Sequence, residues 1–153
     1  MLTPPLVAID PGKRACGVAF FGALGRLLAC ATVPDPVGWA RHFERVSRLP
    51  APVRFVSEVP VRYAAQRATL RGVASLEDRV EQIRAELGSQ LVQTWTPSAW
   101  KGNVPKAAHH HRVSAVLDAR ELDVFWASDH NARDAVALGL FALGRVGRGG
   151  VTP

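Results

Sequence analysis

The sequence predicts a single α/β domain. Five short apolar runs bounded by Gly and Pro turns read as strands, stretches with apolar residues three and four apart read as helices, and the first and fourth strands each end on a carboxylate. At 153 residues the chain is long enough to bury most of its apolar surface around one core, with no second domain expected.

The elements follow in chain order. Apolar runs at about 6–10, 15–21 and 26–33, separated by Pro11-Gly12 and by Gly22 to Gly25, form an antiparallel meander. Asp35-Pro36 opens a helix from Val37 to Leu49, with Trp39, Phe43 and Val46 at helical spacing, and Pro50 and Pro52 end it. Val53 to Glu58 is the fourth strand. Residues 60–72 are basic and irregular. The next segment, about 73–87, carries Val73, Leu76, Val80, Ile83 and Leu87 in a narrow apolar stripe, which packs either on the domain's own core or against a partner's helix.

Leu91 to Trp95 is the fifth strand, and Thr96-Pro97-Ser98 starts a turn that delivers Trp100 and Lys101. Gly102 to Lys106 breaks the chain before a helix of about 106–118, and a last helix of about 129–146 begins after Ser128. Its small residues, among them Ala132, Ala135 and Gly139, let it lie close to a sheet. The domain thus spans 1–146, and the tail 147–153 is expected to be loose.

Net charge is +6, and all but three of the 19 basic side chains are arginine, whose planar fork matches phosphate, so an anionic polymer is a reasonable partner, although an Arg-rich genome would give the same bias. No run nears the roughly 18 apolar residues of a membrane span, and Met1 to Pro5 lacks the regions of a secretory signal, so no membrane partner and a cytoplasmic location are expected. Cys16 and Cys30, in consecutive strands without metal-binding spacing, read as two buried thiols.

Three carboxylates stand where elements end or begin: Asp10 after the first strand, Glu58 after the fourth, and Asp134 in the last helix. Singly, each has an ordinary reading as a turn residue, an exposed strand end or a helix surface charge. If the first and fourth strands are parallel neighbours, Asp10 and Glu58 lie side by side, and a helix crossing that edge brings Asp134 within reach. Clustered carboxylates repel unless a divalent cation neutralises them, and an all-oxygen donor set selects magnesium or manganese. Two such ions activate water and stabilise a leaving oxygen in phosphodiester hydrolysis, so the constellation points to a metal-dependent nuclease.

The series strand-Asp-x-Gly, strand-Glu-x-Pro with a basic loop, Pro-x-x-Trp-Lys, and a final His-Asn-x-x-Asp-Ala helix resembles the RuvC family of Holliday junction resolvases within the RNase H-like superfamily, and especially its bacteriophage-type branch. The likeness runs from Val7 to about Arg145. It implies an RNase H-like α/β fold with a five-stranded mixed sheet in the order 3-2-1-4-5 and helices on both faces. It also implies a homodimer acting on four-way or other branched DNA by paired incisions, leaving a 5′-phosphate and a 3′-hydroxyl.

Carried over by position, the resemblance makes Asp10, Glu58 and Asp134 magnesium ligands and puts the fourth at Asn131, with His130, four before Asp134, as the other candidate. Asp129 is expected to cap the helix. The lysines Lys101 and Lys106 fall where similar resolvases keep lysines near the scissile phosphate, Lys101 in a catalytic role. Besides these, only Lys13 is lysine, in the turn it shares with Arg14 after Asp10. Lys13 and Arg14, together with Arg62, Tyr63, Arg67 and Arg71 of the basic segment, are expected to contact nucleic acid. Residues His109, His110 and His111 point about 100° apart on a helix and cannot converge on one ion, so His110, with Arg112, is assigned to the nucleic-acid face or to solvent.

Two other readings compete. Asp10-Pro11-Gly12 followed by Gly17 also fits the phosphate loop of actin-like ATPases and sugar kinases, but these enclose their nucleotide between two such domains, so no nucleotide cofactor is expected. A junction-binding protein without catalysis has only Asn131 in its favour.

Overall fold

A computed structural model describes residues 3–49, 52–60 and 67–153, with the side chains of all of these except 67–75. Its strands are β1 (Leu6–Asp10), β2 (Cys16–Phe21), β3 (Leu27–Val33), β4 (Arg54–Glu58) and β5 (Leu91–Trp95). They form one sheet in the order β3-β2-β1-β4-β5, the order expected. The β1–β2 and β2–β3 pairs are antiparallel, while β4 runs parallel to both β1 and β5.

The helices are α1 (Pro36–Ser47), α2 (Arg67–Leu87), α3 (Pro97–Trp100), α4 (Lys106–Ser114), α5 (Ala119–Ala127) and α6 (His130–Ala142), with short 3-10 turns at Gly88–Gln90 and Arg148–Gly150. Alternation along β1 shows why both faces of the sheet need covering. Leu6 and Ala8 enter a core with α6, Trp100, Val113 and Phe125, whereas Val7 and Ile9 enter a second core with Val37, Ala40, Ile83 and Leu87. Asp35 caps α1 by accepting from the Gly38 amide at 2.9 Å, and Pro36 occupies the first helical position.

Several expectations need correction. Residues 67–72 belong to α2 and not to an irregular segment. The helix expected over 106–118 ends at Ser114, and a separate helix, α5, follows. Asp118 and Glu121 form a capping box there, each side chain taking the other end's backbone amide, and this Asp-x-x-Glu spacing was the cue in the sequence. Val46, expected on the buried face of α1, is 67% exposed. Within the segment expected to be loose, Gly149 and Gly150 are buried. Cys16 is a buried free thiol and Cys30 a half-buried one.

The stripe on α2 resolves toward the core: Val80, Ile83 and Leu87 are buried within the protomer. Val73 has its side chain outside the described residues. Ile83→Val should therefore lower stability by about 1 kcal/mol in a chemical melt and leave the mass in solution, read by light scattering, unchanged. A loss of association without a loss of stability would return the stripe to a dimer seam.

Candidate active site

The sheet register assembles the site. Ile9 stands opposite Ser57 on the parallel β4, so the next residues, Asp10 and Glu58, are neighbours at the same edge of the sheet. On the other side Asp10 pairs with Gly17, and Gly17 with Thr32. Helix α6 lies on this row. Asp129, its N-cap, accepts from the Ala132 amide at 3.0 Å and from the Thr32 hydroxyl at 2.5 Å. A Cβ on Gly17 would stand 2.0 Å from the Asn131 carbonyl oxygen, so only glycine lets the first turn of α6 come this close to β2. Asp134, one turn further on, is thereby buried beside the carboxylate edge.

The electrostatics register this proximity. Burial first, then the charges of Glu58 and Asp134, push the Asp10 carboxyl up to about 8. Burial likewise raises Glu58, against the opposing charge of Lys101 and a hydrogen bond from Trp100, whose Nε1 donates to Glu58 Oε2 at 2.9 Å. Asp134 is the contrasting case. Burial opposes its ionisation, but hydrogen bonds from His110 and Lys106 and the charge of Lys101 outweigh it and hold the carboxyl at about 2.

Both oxygens of Asp134 are engaged. His110 Nε2 lies 2.7 Å from Oδ1, while Lys106 Nζ lies 2.8 Å and Lys101 Nζ 3.7 Å from Oδ2. The Lys101 ammonium also sits over the Trp100 ring, 5.1 Å from its centroid. Four side chains from α3, its C-cap and α4 (Trp100, Lys101, Lys106 and His110) therefore hold two of the three acids.

The sequence-predicted residues divide accordingly. Asp10, Glu58, Asp134, Lys101 and Lys106 are brought together. His110 is a correction: it is buried at 5% exposure against Asp134 and edge-on to Phe125, because α4 turns that face onto α6. His109 is also buried, its ring tilted on Trp100, and burial together with Lys101 lowers its pKa to about 4. Arg112 donates to the Gly149 carbonyl at 3.3 Å, although its residue as a whole is exposed. Lys13 and Arg14 are exposed in the β1–β2 turn. His130 is exposed and Asn131 is half-buried; among the described residues neither side chain bonds to the three acids. Arg62 and Tyr63 lie outside the described residues, as do the side chains of Arg67 and Arg71.

Sequence reasoning missed Trp100 and His110 as supports of Glu58 and Asp134, and it missed Glu121. That buried carboxylate takes both Arg145 guanidinium nitrogens, at 2.6 and 2.8 Å, and the amides of Leu27 and Asp118. It ties the end of α6 to β3 and α5.

Among the described residues no three His, Cys, Asp or Glu side chains stand at metal-holding spacing, and Asp134 pairs with two lysines and His110. The donor chemistry nevertheless fits a hard divalent cation: Asp10 and Glu58 are both held toward their neutral forms by burial and by neighbouring negative charge, the strain a cation relieves.

No family model matches the chain, and no curated protein matches it. Among solved structures it is similar to Thermus thermophilus RuvC in complex with a Holliday junction substrate, at 20% identity over 95% of this chain and 98% of that one, with a TM-score of 0.58. It is also similar to another Thermus thermophilus RuvC structure, at 22% identity over 91% and 95% of the two chains, with a TM-score of 0.51. The shared property is the fold, a five-stranded mixed sheet with helices, and the likeness covers nearly the whole chain.

Proposed function

We propose that the chain is a divalent-metal-dependent endonuclease of the RuvC type that resolves four-way DNA junctions by paired phosphodiester hydrolysis. The observation that carries this reading is the convergence of Asp10, Glu58 and Asp134 at one sheet edge, close enough that the other two acids raise Asp10. The likeness of fold to a protein solved with a Holliday junction substrate supports it. Assignment to the bacteriophage-type branch rests on the order of the sequence segments alone.

In this reading Asp10, Glu58 and Asp134 hold magnesium, with manganese as a substitute and two ions as the working number. Asn131, half-buried one turn before Asp134 on α6, is the fourth ligand, and exposed His130 is not. A metal held by these residues would supply Lewis acidity, to activate a water near neutral pH and to offset charge on the leaving oxygen. The chain's own residues do the rest. Trp100 orients Glu58, His110 orients Asp134, and the ammonium groups of Lys101 and Lys106 offer positive charge to the scissile phosphate as its charge develops. The products are a 5′-phosphate and a 3′-hydroxyl, with no covalent enzyme intermediate.

A symmetric junction calls for a homodimer. Val80, Ile83 and Leu87 are used inside the protomer and do not form the dimer's seam. The deciding experiment is cleavage of a labelled four-way junction in magnesium, compared with a linear duplex of the same sequence; equal cutting of both would reduce the reading to a general RNase H-like nuclease.

Both ammonium groups face Asp134, but Lys101 is only 20% exposed, whereas Lys106 is 46% exposed. Lys101→Ala should therefore slow single-turnover cleavage by about 100-fold, while Lys106→Ala should weaken junction binding by only a few-fold. Equal small effects would mark both as ordinary surface charges.

A further inference from the structure

The two lysines sit at either end of a segment with little regular structure: Lys101 follows the four-residue α3, and Lys106 opens α4 after Pro105. Lysine side chains have high rotamer entropy, so a loop of this kind places two ammonium groups on one carboxylate only if something outside the loop holds it. Residues 148–150 are in contact with it along its length.

Arg148 Nε donates to the Ser98 carbonyl at 2.8 Å, and its guanidinium packs over Gly102, immediately after Lys101. Gly149 is buried, with Val104 and the Lys101 carbonyl where its Cβ would stand, and its own carbonyl accepts from Arg112 Nη1 on α4. Gly150, at φ +76°, rests on His109 and Arg112, where a Cβ would stand 3.1 Å from His109 Cδ2. The turn closes on itself through the Gly147 amide, which donates to the Val151 carbonyl at 2.6 Å. It thus touches α3, the connection carrying Val104, and the His109–Arg112 face of α4.

We infer that residues 148–150 form a clamp that positions Lys101 and Lys106 against Asp134, with Arg148 as its positioning residue. None of the three touches the acids. Their effect passes through the lysine loop, and a small misplacement of a charge beside the reacting phosphate costs rate far more than affinity. The inference rests on the nuclease reading only for its consequence in cleavage; its structural half is testable without DNA.

The experiment uses the full chain carrying 13C at the lysine ε-carbon. With only Lys13, Lys101 and Lys106 to report, exposed Lys13 serves as an internal reference. In Arg148→Ala and Gly150→Val the Lys101 and Lys106 resonances should move toward that of Lys13. Single-turnover cleavage of a four-way junction in magnesium should fall by about 10- to 100-fold, with junction affinity held within about threefold. Arg148→Lys, which keeps a donor for the Ser98 carbonyl, should recover most of the rate. In a Lys101→Ala background Arg148→Ala should add little further loss, because both changes act through one group.

Unmoved lysine resonances in Arg148→Ala, or the same slowing with and without Lys101, would overturn the clamp. Should Gly150→Val fail to fold, Arg148→Ala alone decides, since it leaves the glycine turn intact. If the unaltered protein cuts no branched DNA while the resonances still move in Arg148→Ala, the nuclease reading falls and the clamp stands.

Discussion

Asp10→Asn and Glu58→Gln should each abolish magnesium-dependent cleavage while leaving junction binding within a few-fold. Each exchange is nearly isosteric, so the sheet edge keeps its shape, and what is lost is a carboxyl group that can ionise to hold a cation. Metal assistance supplies several kcal/mol of transition-state stabilisation, so loss of a ligand should slow the reaction by about a thousandfold or more at 1.36 kcal/mol per tenfold. Single-turnover rates of the purified variants, with affinity measured in parallel, provide the check. Normal turnover by either variant would remove the proposed site. Because Asp10 is raised by burial and by its neighbours, Asp10→Asn should also stabilise the metal-free fold slightly near neutral pH, a readout independent of activity.

Glu121→Ala should lower stability by about 3–5 kcal/mol. The substitution leaves the Arg145 guanidinium without its bidentate partner and strips the Leu27 and Asp118 amides of their acceptor. The same contact makes a pH prediction. Burial works against ionisation of Glu121, but Arg145 and the two amides hold its carboxyl at about 2 in place of the ordinary 4.5. A depressed carboxyl stabilises the fold fully above pH 4.5 and loses that contribution as pH falls toward 2, a span worth roughly 3 kcal/mol. The difference in unfolding free energy between wild type and Glu121→Ala, followed by denaturant melts, should therefore shrink across that window. A pH-independent difference would show that the damage comes from lost packing alone.

How much of this was legible in advance differs by element. The strands were, because β1, β2, β4 and β5 are short apolar runs between Gly or Pro breaks, and the carboxylates that end β1 and β4 stand out against them. The start of α1 was also legible, from Asp35-Pro36. Helix α5 was not, although Asp118 and Glu121 spell its capping box, because its apolar residues blur into the pattern of the helix before it. The α2 stripe carried the right spacing for either outcome: periodicity states which residues share a face and not what that face meets.

By itself the sequence determined the alternation that gives the sheet two buried faces, the acids at the ends of β1 and β4, and the concentration of lysine beside the candidate site, since each is a property of residue type and spacing along the chain. Only the tertiary structure decided that His110 serves Asp134 and not solvent, that Glu121 is a buried partner of Arg145, and that residues 148–150 reach back to the lysine loop. The physical reason is the same in each case. These contacts join residues at least 24 positions apart across different elements, and whether a polar side chain meets water or a buried partner depends on which element is packed against it, something no local pattern encodes.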